Sequence, residues 1–461
     1  MHIRKYDFDY GRRKMMEKTA KGLGYAGVLG SVWPMLAKGQ STDIKMAYPD
    51  EQISIEEHTK GKISVGDTIT ADNLEHVEHL LDPVAVEEVR NDGRQIKIRE
   101  ATTDVLDLFE EPFLEQTIAN RGKTVVDDDG NIWFEKKGTP AKGGLPFPEP
   151  KNAYEAQANI NYGWGRHNYS QYAIRDWDLG PDGDVQYQYD FVWSELQVTV
   201  RPDGKVWNDE KDMLRYQSVF FTAPNEQSGT SFLSTWPYDQ RQFPGLVGYL
   251  PAFKRVREYP TNQRFEPLVP GITVFLSNAW AAGDPLATWG NMKIVGRQPA
   301  LGDFHGGWED SGHKDDPNWE MGVHGGPKGQ TYFNTTQELC PECIVIDLEP
   351  TKYPRSPVGK RRTWLDARNG EFVRSVDYDR KGNVWKSWQA GFSKYTGMKT
   401  GEGHEPWSWR WVHCHDIQSG RMSRFYQAKE VVGGYKSEWN TSGDDAYDKY
   451  LTTQAMRRLG A

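Results

Sequence analysis

Turn signals set between alternating runs constrain this chain more than anything else in it. Lys360–Ala367 and Glu371–Tyr378 flank Asn369-Gly370, and Arg380-Lys381-Gly382-Asn383 separates the second run from Val384–Trp388. Asn-Gly readily adopts the left-handed backbone of a two-residue hairpin, so these runs read as neighbouring antiparallel strands. Trp407–Ile417 and Met422–Val432 pair in the same way across Gln418-Ser419-Gly420. Upstream, Leu214–Phe221, Thr230–Trp236, Gly248–Arg257, Thr273–Leu276, Gly290–Arg297 and Cys343–Leu348 carry strand patterns, and Pro202-Asp203-Gly204 is another hairpin turn. Successive hairpins at this spacing predict a mainly β fold (α+β), an antiparallel meander curved into a sandwich or an open barrel.

Two aromatic rows sit on predicted strands. Val185, Tyr187, Tyr189, Phe191 and Trp193 alternate with polar residues and share one face; the phase flips after Glu195 to Leu196, Val198 and Val200. Such a flip marks a bulge or a strand serving two environments. Trp407, Trp409, Trp411, His413 and His415 are evenly spaced, which places them on one face with Cys414 on the other. His413-x-His415 is a metal-ligand spacing, but two ligands do not make a site, and a Trp-lined wall with hydrogen-bonded histidines is the reading adopted.

Composition excludes several classes. The chain of 461 residues holds 18 Trp, 22 Tyr and 18 Phe, more aromatic surface than a disordered chain carries. A net charge of −9 lacks the basic footprint of a nucleic-acid binder. Residues 1–39 differ from the rest, with eight Lys/Arg against three acids. Arg12-Arg13, a weakly apolar Gly-rich run from Gly22 to Leu36 and the small residues around Ala37-Lys38-Gly39 read as a Tat-like export signal cleaved near Gly39. The expected location is therefore the periplasm of a Gram-negative cell, as a soluble protein or one peripheral to the outer membrane.

Residues 40–150 form a mixed helix and loop region. Thr70-Ala71-Asp72-Asn73 offers capping side chains before Leu74, Val77, Leu80 and Leu81, a helical face that Pro83 is expected to stop. A second helix is expected around Val105 to Ala119. The proline-rich Gly143–Pro150 leads into a short helix from Ala153 to about Tyr162. Residues 151–461 make the β domain, interrupted by a long loop at 302–330.

The chemistry-bearing residues are sparse. Cys340-Pro341-Glu342-Cys343 precedes a strand rather than a helix, unlike a thioredoxin motif, and the chain has only one other thiol, Cys414. In an oxidising compartment the pair is expected to form a local disulfide or a non-catalytic thiol pair. His305, Asp310, His313 and His324 fall in the long loop at irregular spacing and read as solvated polar residues. Nucleophile elbow, phosphate-binding loop and zincin signatures are absent from the sequence, so no catalytic residue, metal or cofactor is assigned.

Several stretches in combination carry a family resemblance: Ile69-Thr70-Ala71-Asp72-Asn73, Leu145-Pro146-Phe147-Pro148-Glu149-Pro150 with Glu155-Ala156, Tyr249-Leu250-Pro251 with Arg255-Val256-Arg257, and Lys360-Arg361-Arg362-Thr363-Trp364 followed by Asp377-Tyr378-Asp379-Arg380-Lys381-Gly382. Across about residues 50 to 450, the chain resembles an exported proteobacterial domain-of-unknown-function family, thirteen-twenty-nine, grouped with outer-membrane lipoprotein-sorting proteins. The resemblance implies a LolA/LolB-like curved antiparallel sheet, an incomplete barrel with short covering helices. It implies a carrier of a hydrophobic ligand, a lipid or lipoprotein acyl chain, rather than an enzyme. It also implies an inner-membrane transporter of the RND superfamily and an outer-membrane protein as partners. Tyr187, Tyr189, Phe191, Trp193, Trp407, Trp409 and Trp411 are the expected ligand-binding residues. The competing class is a secreted carbohydrate-active enzyme or sugar-binding protein, whose aromatic rows would face outward along an open cleft.

Overall fold

The computed structural model describes residues 32–260, 264–276, 285–306, 317–319, 332, 334–353, 355–440 and 443–460. Arg12-Arg13 and most of the expected export segment lie outside these, as do Asp310, His313 and His324. The described part of the N-terminal segment is built into the body. Val32 and Trp33 are buried, and the Trp33 indole meets Phe109 edge-on and donates to the Ala367 carbonyl at 3.3 Å.

The N-terminal region supplies β1 (Thr68–Ile69), β2 (Gln95–Ile98) and a separate hairpin of β3 (Thr124–Val126) and β4 (Ile132–Phe134). Then come β5 (Tyr169–Leu179), β6 (Val185–Gln197), β7 (Met213–Ala223), β8 (Ser231–Pro237), β9 (Gly245–Leu250) and β10 (Arg255–Glu258). The long β11 (Gly290–His305) and β12 (Asn334–Glu349) precede β13 (Val358–Asp366), β14 (Phe372–Asp379), β15 (Val384–Lys394), β16 (Trp407–Asp416) and β17 (Arg421–Ala428). Short β18 (Glu430–Val431), β19 (Tyr435–Lys436) and β20 (Glu438–Trp439) follow.

Sixteen of these strands form one sheet in the order β1-β2-β12-β13-β14-β15-β16-β17-β5-β6-β7-β8-β9-β10, with β11 against β12 and β15, and β20 against β5. The ends, β1 and β10, do not meet, so the sheet stays an open half-barrel. The expected all-antiparallel sheet is in fact mixed. β2 runs parallel to β12, and the end of β11 (Asp303–His305) runs parallel to Gly391–Ser393 of β15.

Residues opposite one another share a face, and the register lines up the inner rows. Thr363, Ser375 and Trp388 stand in one cross-strand row, and Ala390, Val412 and Phe425 in the next. Ile174 faces Phe191, and Trp193 faces Val219. The helix Ala153–Gly163 lies over this inner face. Asn152 caps it by accepting from the Glu155 N–H at 2.9 Å, and Ala153, Ala156 and Ile160 pack on Ile344, Ile346, Leu348 and Leu365. On the outer face, the helices Gly443–Tyr450 and Thr453–Leu459 bury Leu196 and Val198 with Ala446, Leu451 and Met456. That is why the apolar phase of β6 flips: the strand serves two environments.

Several expectations fail for local reasons. Leu74–Leu81 forms two single 3₁₀ turns, Leu74–His76 and Glu78–Leu80, and Pro83 starts the helix Pro83–Glu87 instead of ending one. Proline lacks the N–H that the first helical turn leaves unpaired anyway, and Asp82 accepts from the Val84 and Ala85 N–H groups as the cap. Gly248–Arg257 is two strands joined at the turn Pro251–Phe253. Thr273–Leu276 is no strand; its segment makes a lone bridge between Pro267 and Phe275. The expected loop at 302–330 begins too early, because Gly302–His305 completes β11 and His305 is fully buried. Cys340 and Cys343 lie inside β12 rather than at its head.

Candidate functional site: an apolar cavity under a latched loop

Rows from eight neighbouring strands, β13 through β17 and β5 to β7, converge on a cavity of about 130 Å³. Ile174, Phe191, Trp193, Val219, Trp388, Ala390, Phe392, Trp409, Val412 and Phe425 form its wall. Ile160 and Trp164, at and just beyond the covering helix, and Leu268, Ile272 and Val274 from the segment 264–276 close it over. Gln157, Arg361, Thr363 and Ser375 are the polar members of the lining. Arg361 is engaged with Asp377 through Nε–Oδ1 at 2.6 Å and Nη2–Oδ2 at 2.9 Å.

The covering loop is fastened at Thr273. Its N–H donates to Ser423 Oγ at 2.9 Å, its hydroxyl reaches the Cys414 carbonyl at 3.2 Å, and its carbonyl accepts from Lys386 Nζ at 2.5 Å. The Tyr189 hydroxyl donates to the Pro270 carbonyl at 2.6 Å. Gly271 takes φ +88° where the loop crosses Tyr187, and any Cβ there would overlap the tyrosine ring.

Of the seven expected ligand-binding residues, Phe191, Trp193 and Trp409 line the cavity. Tyr189 is buried beside it beneath the loop, whereas Tyr187 is 42% exposed at the rim. Trp407 packs into the solid core, stacked with Phe304 and Phe392. Trp411 faces the opposite side. The Trp407–His415 row is broken by a bulge: β15 pairs Phe392 with Trp409 and Gly391 with Trp411, leaving Arg410 as the extra residue. A Cβ on Gly391 would overlap the Trp411 indole, which donates to Asp303 Oδ2 at 2.9 Å. Beyond the bulge Val412 and Cys414 continue the inner face, and His413 and His415 the outer one.

On that outer face Glu88 Oε1 lies 3.2 Å from His413 Nε2 and 2.7 Å from His415 Nδ1, all buried, a grouping that can hold a metal ion. Glu88 Oε2 is already paired with the buried Arg94 at 2.6 Å. Burial acts to raise the Glu88 carboxyl, but Arg94 and the two histidines hold it well below the usual range. Burial pulls His413 down to about 3, so its imidazole stays neutral. The carboxylate is already neutralised by an arginine and hydrogen-bonded by two imidazoles, and a dication added there would leave an excess of buried positive charge. His305 is likewise lowered to about 4 by burial and by Arg410, with Nε2 3.0 Å from Asp303 Oδ1.

Cys340, Cys343 and Cys414 are buried free thiols. β11 pairs Gln298 with Cys343 and Ala300 with Cys340, so β12 carries one extra residue at Pro341-Glu342. Burial, and then the hydrogen bond with Cys343, push the Cys340 thiol well above its ordinary value.

Sequence reasoning missed two acids on the inner face of β5. Asp176 and Asp178 follow Ile174 at even spacing, and both are fully buried. Polar residues in the apolar phase of a strand were the available signal. Burial, with the neighbouring Asp178, holds the Asp176 carboxyl well up; burial pushes Asp178 up to about 7.

An open β half-barrel enclosing an apolar cavity is thus the architecture of this protein. The chain belongs to the family described as protein of unknown function (DUF1329), whose model matches residues 68–457. It is similar to a DUF1329 family protein of Desulfovibrio piger, at 12% identity and TM-score 0.43, over 66% of this chain and 97% of that one. A domain of Vibrio parahaemolyticus named for outer membrane lipoprotein sorting matches at 14% identity and TM-score 0.42, over 66% of this chain and 100% of that one. A LolA superfamily protein of Nitrosomonas europaea matches at 12% identity and TM-score 0.38, over 66% and 99%. No curated protein matches the chain.

Proposed function

We propose that this protein is a periplasmic carrier that holds the hydrophobic part of a lipid or acyl chain against the inner face of its half-barrel. The observation that carries this reading is the apolar cavity enclosed by eight neighbouring strands. Its volume, about 130 Å³, is close to the roughly 150 Å³ of engineered apolar cavities that take up benzene. A longer chain needs the 264–276 loop to lift, and each methylene then buried contributes about 0.8 kcal/mol. The aromatic side chains Phe191, Trp193 and Trp409 point inward, which favours a lipid over a sugar stacked on an open surface. Delivery to or from an RND-superfamily transporter and an outer-membrane protein, after Tat export, completes the proposal. Arg12→Lys with Arg13→Lys should retain the precursor in the cytoplasm.

The test is displacement of a fluorescent fatty-acid probe. Ala390→Phe fills the cavity at a cost of about 1–3 kcal/mol and should weaken binding more than about tenfold while the protein stays folded. A parent protein that ignores every lipid probe and binds a soluble glycan would overturn the carrier reading.

A further inference from the structure

We propose that the loop-covered end of the cavity is a site for the ammonium head of an amphiphile, received by Asp176 and Asp178 while the tail lies in the cavity. The assignment rests on the carrier reading and names its ligand class.

Asp176 stands between Phe425 and Tyr189 in the sheet register, and Asp178 between Ser423 and Tyr187. Phe425 and Ile174 line the cavity, so the acids begin where its wall ends. Both are fully buried, yet only Asp178 Oδ1 is satisfied, by the Ser423 hydroxyl at 2.5 Å. Both oxygens of Asp176 and the second oxygen of Asp178 have no hydrogen-bond partner among the described residues. Arg175 is paired with Asp190, and Arg421, whose charge acts on Asp178, gives its hydrogen bonds to Gln186 and the Gly271 carbonyl rather than to either carboxylate.

A carboxylate taken out of water without a partner is among the costliest things a fold can bury, and it does not persist without compensation. Burial holds both carboxyls up, so a positive charge brought against them favours their ionised form. An ionised carboxylate only accepts hydrogen bonds, so the ligand must donate. A primary ammonium offers three donors and one positive charge to three open oxygens. Calcium takes six to eight oxygen ligands, and the flanking Ile174, Phe425 and Tyr189 fall well short of supplying the remainder. The apolar neighbours suit the methylenes next to the nitrogen.

The experiment compares dodecylamine, dodecanol and dodecanoate as competitors of a fluorescent probe at pH 7, on the full chain and on Asp176→Asn and Asp178→Asn. The parent should bind the amine at least about tenfold more tightly than the alcohol. Each Asn variant should lose that preference and keep its dodecanol affinity, with a melting temperature no lower than the parent's. Dodecanol binding with no preference for the amine overturns this assignment and leaves the carrier reading standing. Binding of none of the three overturns both. Calcium chloride that raises the parent's melting temperature, but not that of Asp176→Asn, gives the pair to a metal and overturns the amine site.

Discussion

Trp409 and Trp411 are separated by one residue and face opposite sides of the sheet, because Arg410 is the extra residue of a bulge in β16. The consequence is a division of labour that substitution can separate. Trp409→Ala should weaken probe binding about tenfold with the fold retained. Trp411→Ala removes a fully packed indole from the outer face and should cost about 3–5 kcal/mol, leaving affinity of the folded protein within about twofold. Urea denaturation beside probe titration measures both; equal effects on affinity would put Trp411 on the ligand side.

Thr273 is the fastening of the covering loop. Thr273→Val deletes the hydroxyl that reaches Cys414 and Ser423 and should cost about 1–2 kcal/mol. Hydrogen exchange across 264–276 should accelerate, and stopped-flow release of the probe with it. An unchanged release rate would mean that ligand leaves by another route.

Glu88 joins the N-terminal region to the outer face of the sheet. Glu88→Gln breaks the buried ion pair with Arg94 and should destabilise by about 3–5 kcal/mol. Added zinc should not raise the parent's melting temperature. One zinc per chain, lost in His415→Gln, would show that the network gives way to a metal.

Stability should depend on pH through Asp178, which faces Asp176, Tyr189, Ser423 and Arg421. Its carboxyl is pushed up to about 7 in the fold, against an ordinary value of about 3.8 for the unfolded chain, so the folded form binds the proton more tightly. That contribution is fully present below about 4 and is lost as pH rises toward about 7. Asp178→Asn has no proton to lose. Its melting temperature relative to the parent's should therefore be higher at pH 8 than at pH 4.5; a constant difference would place Asp178 in water.

Cys340 and Cys343 are neighbours on one bulged strand. Protein recovered from an oxidising compartment should carry them as a local disulfide, seen as a mass lower by two hydrogens that reduction restores. An unchanged mass would leave them as buried thiols.

Much of the fold was legible because its determinants are local. Asn369-Gly370 and Gln418-Ser419-Gly420 set hairpins where expected, and Asn152 with Glu155 starts the covering helix. Alternation at Tyr187–Trp193 gave the correct face of β6, yet only Phe191 and Trp193 reach the cavity, since depth along a strand depends on what covers it. The bulge at Arg410 was invisible because nothing in Trp-Arg-Trp marks an extra residue; the partner Gly391 lies elsewhere in the chain. Glu88 met His413 and His415 through tertiary packing that no spacing encodes. Thr273–Leu276, at the end of the loop 264–276, read as a strand because Thr-Val-Phe-Leu is a run of β-prone residues, although Thr273 bonds to a side chain and to a distant carbonyl.

The pairing of β5 with β17 has a bearing on how the polypeptide is made. Ser423 and Asp178 meet across 245 residues of sequence, at the seam that joins β17 to β5 beside the cavity wall. Until Ala428 has been synthesised, β5 and β16 each present an unpaired edge, and the groove has no floor to close on. Such non-local closure is slow, and exposed edges invite aggregation while it waits. Assembly therefore belongs to the finished polypeptide. A nascent chain of this kind needs shelter for most of its synthesis, and one truncated before Ala428 should be recovered as aggregate rather than as a smaller domain.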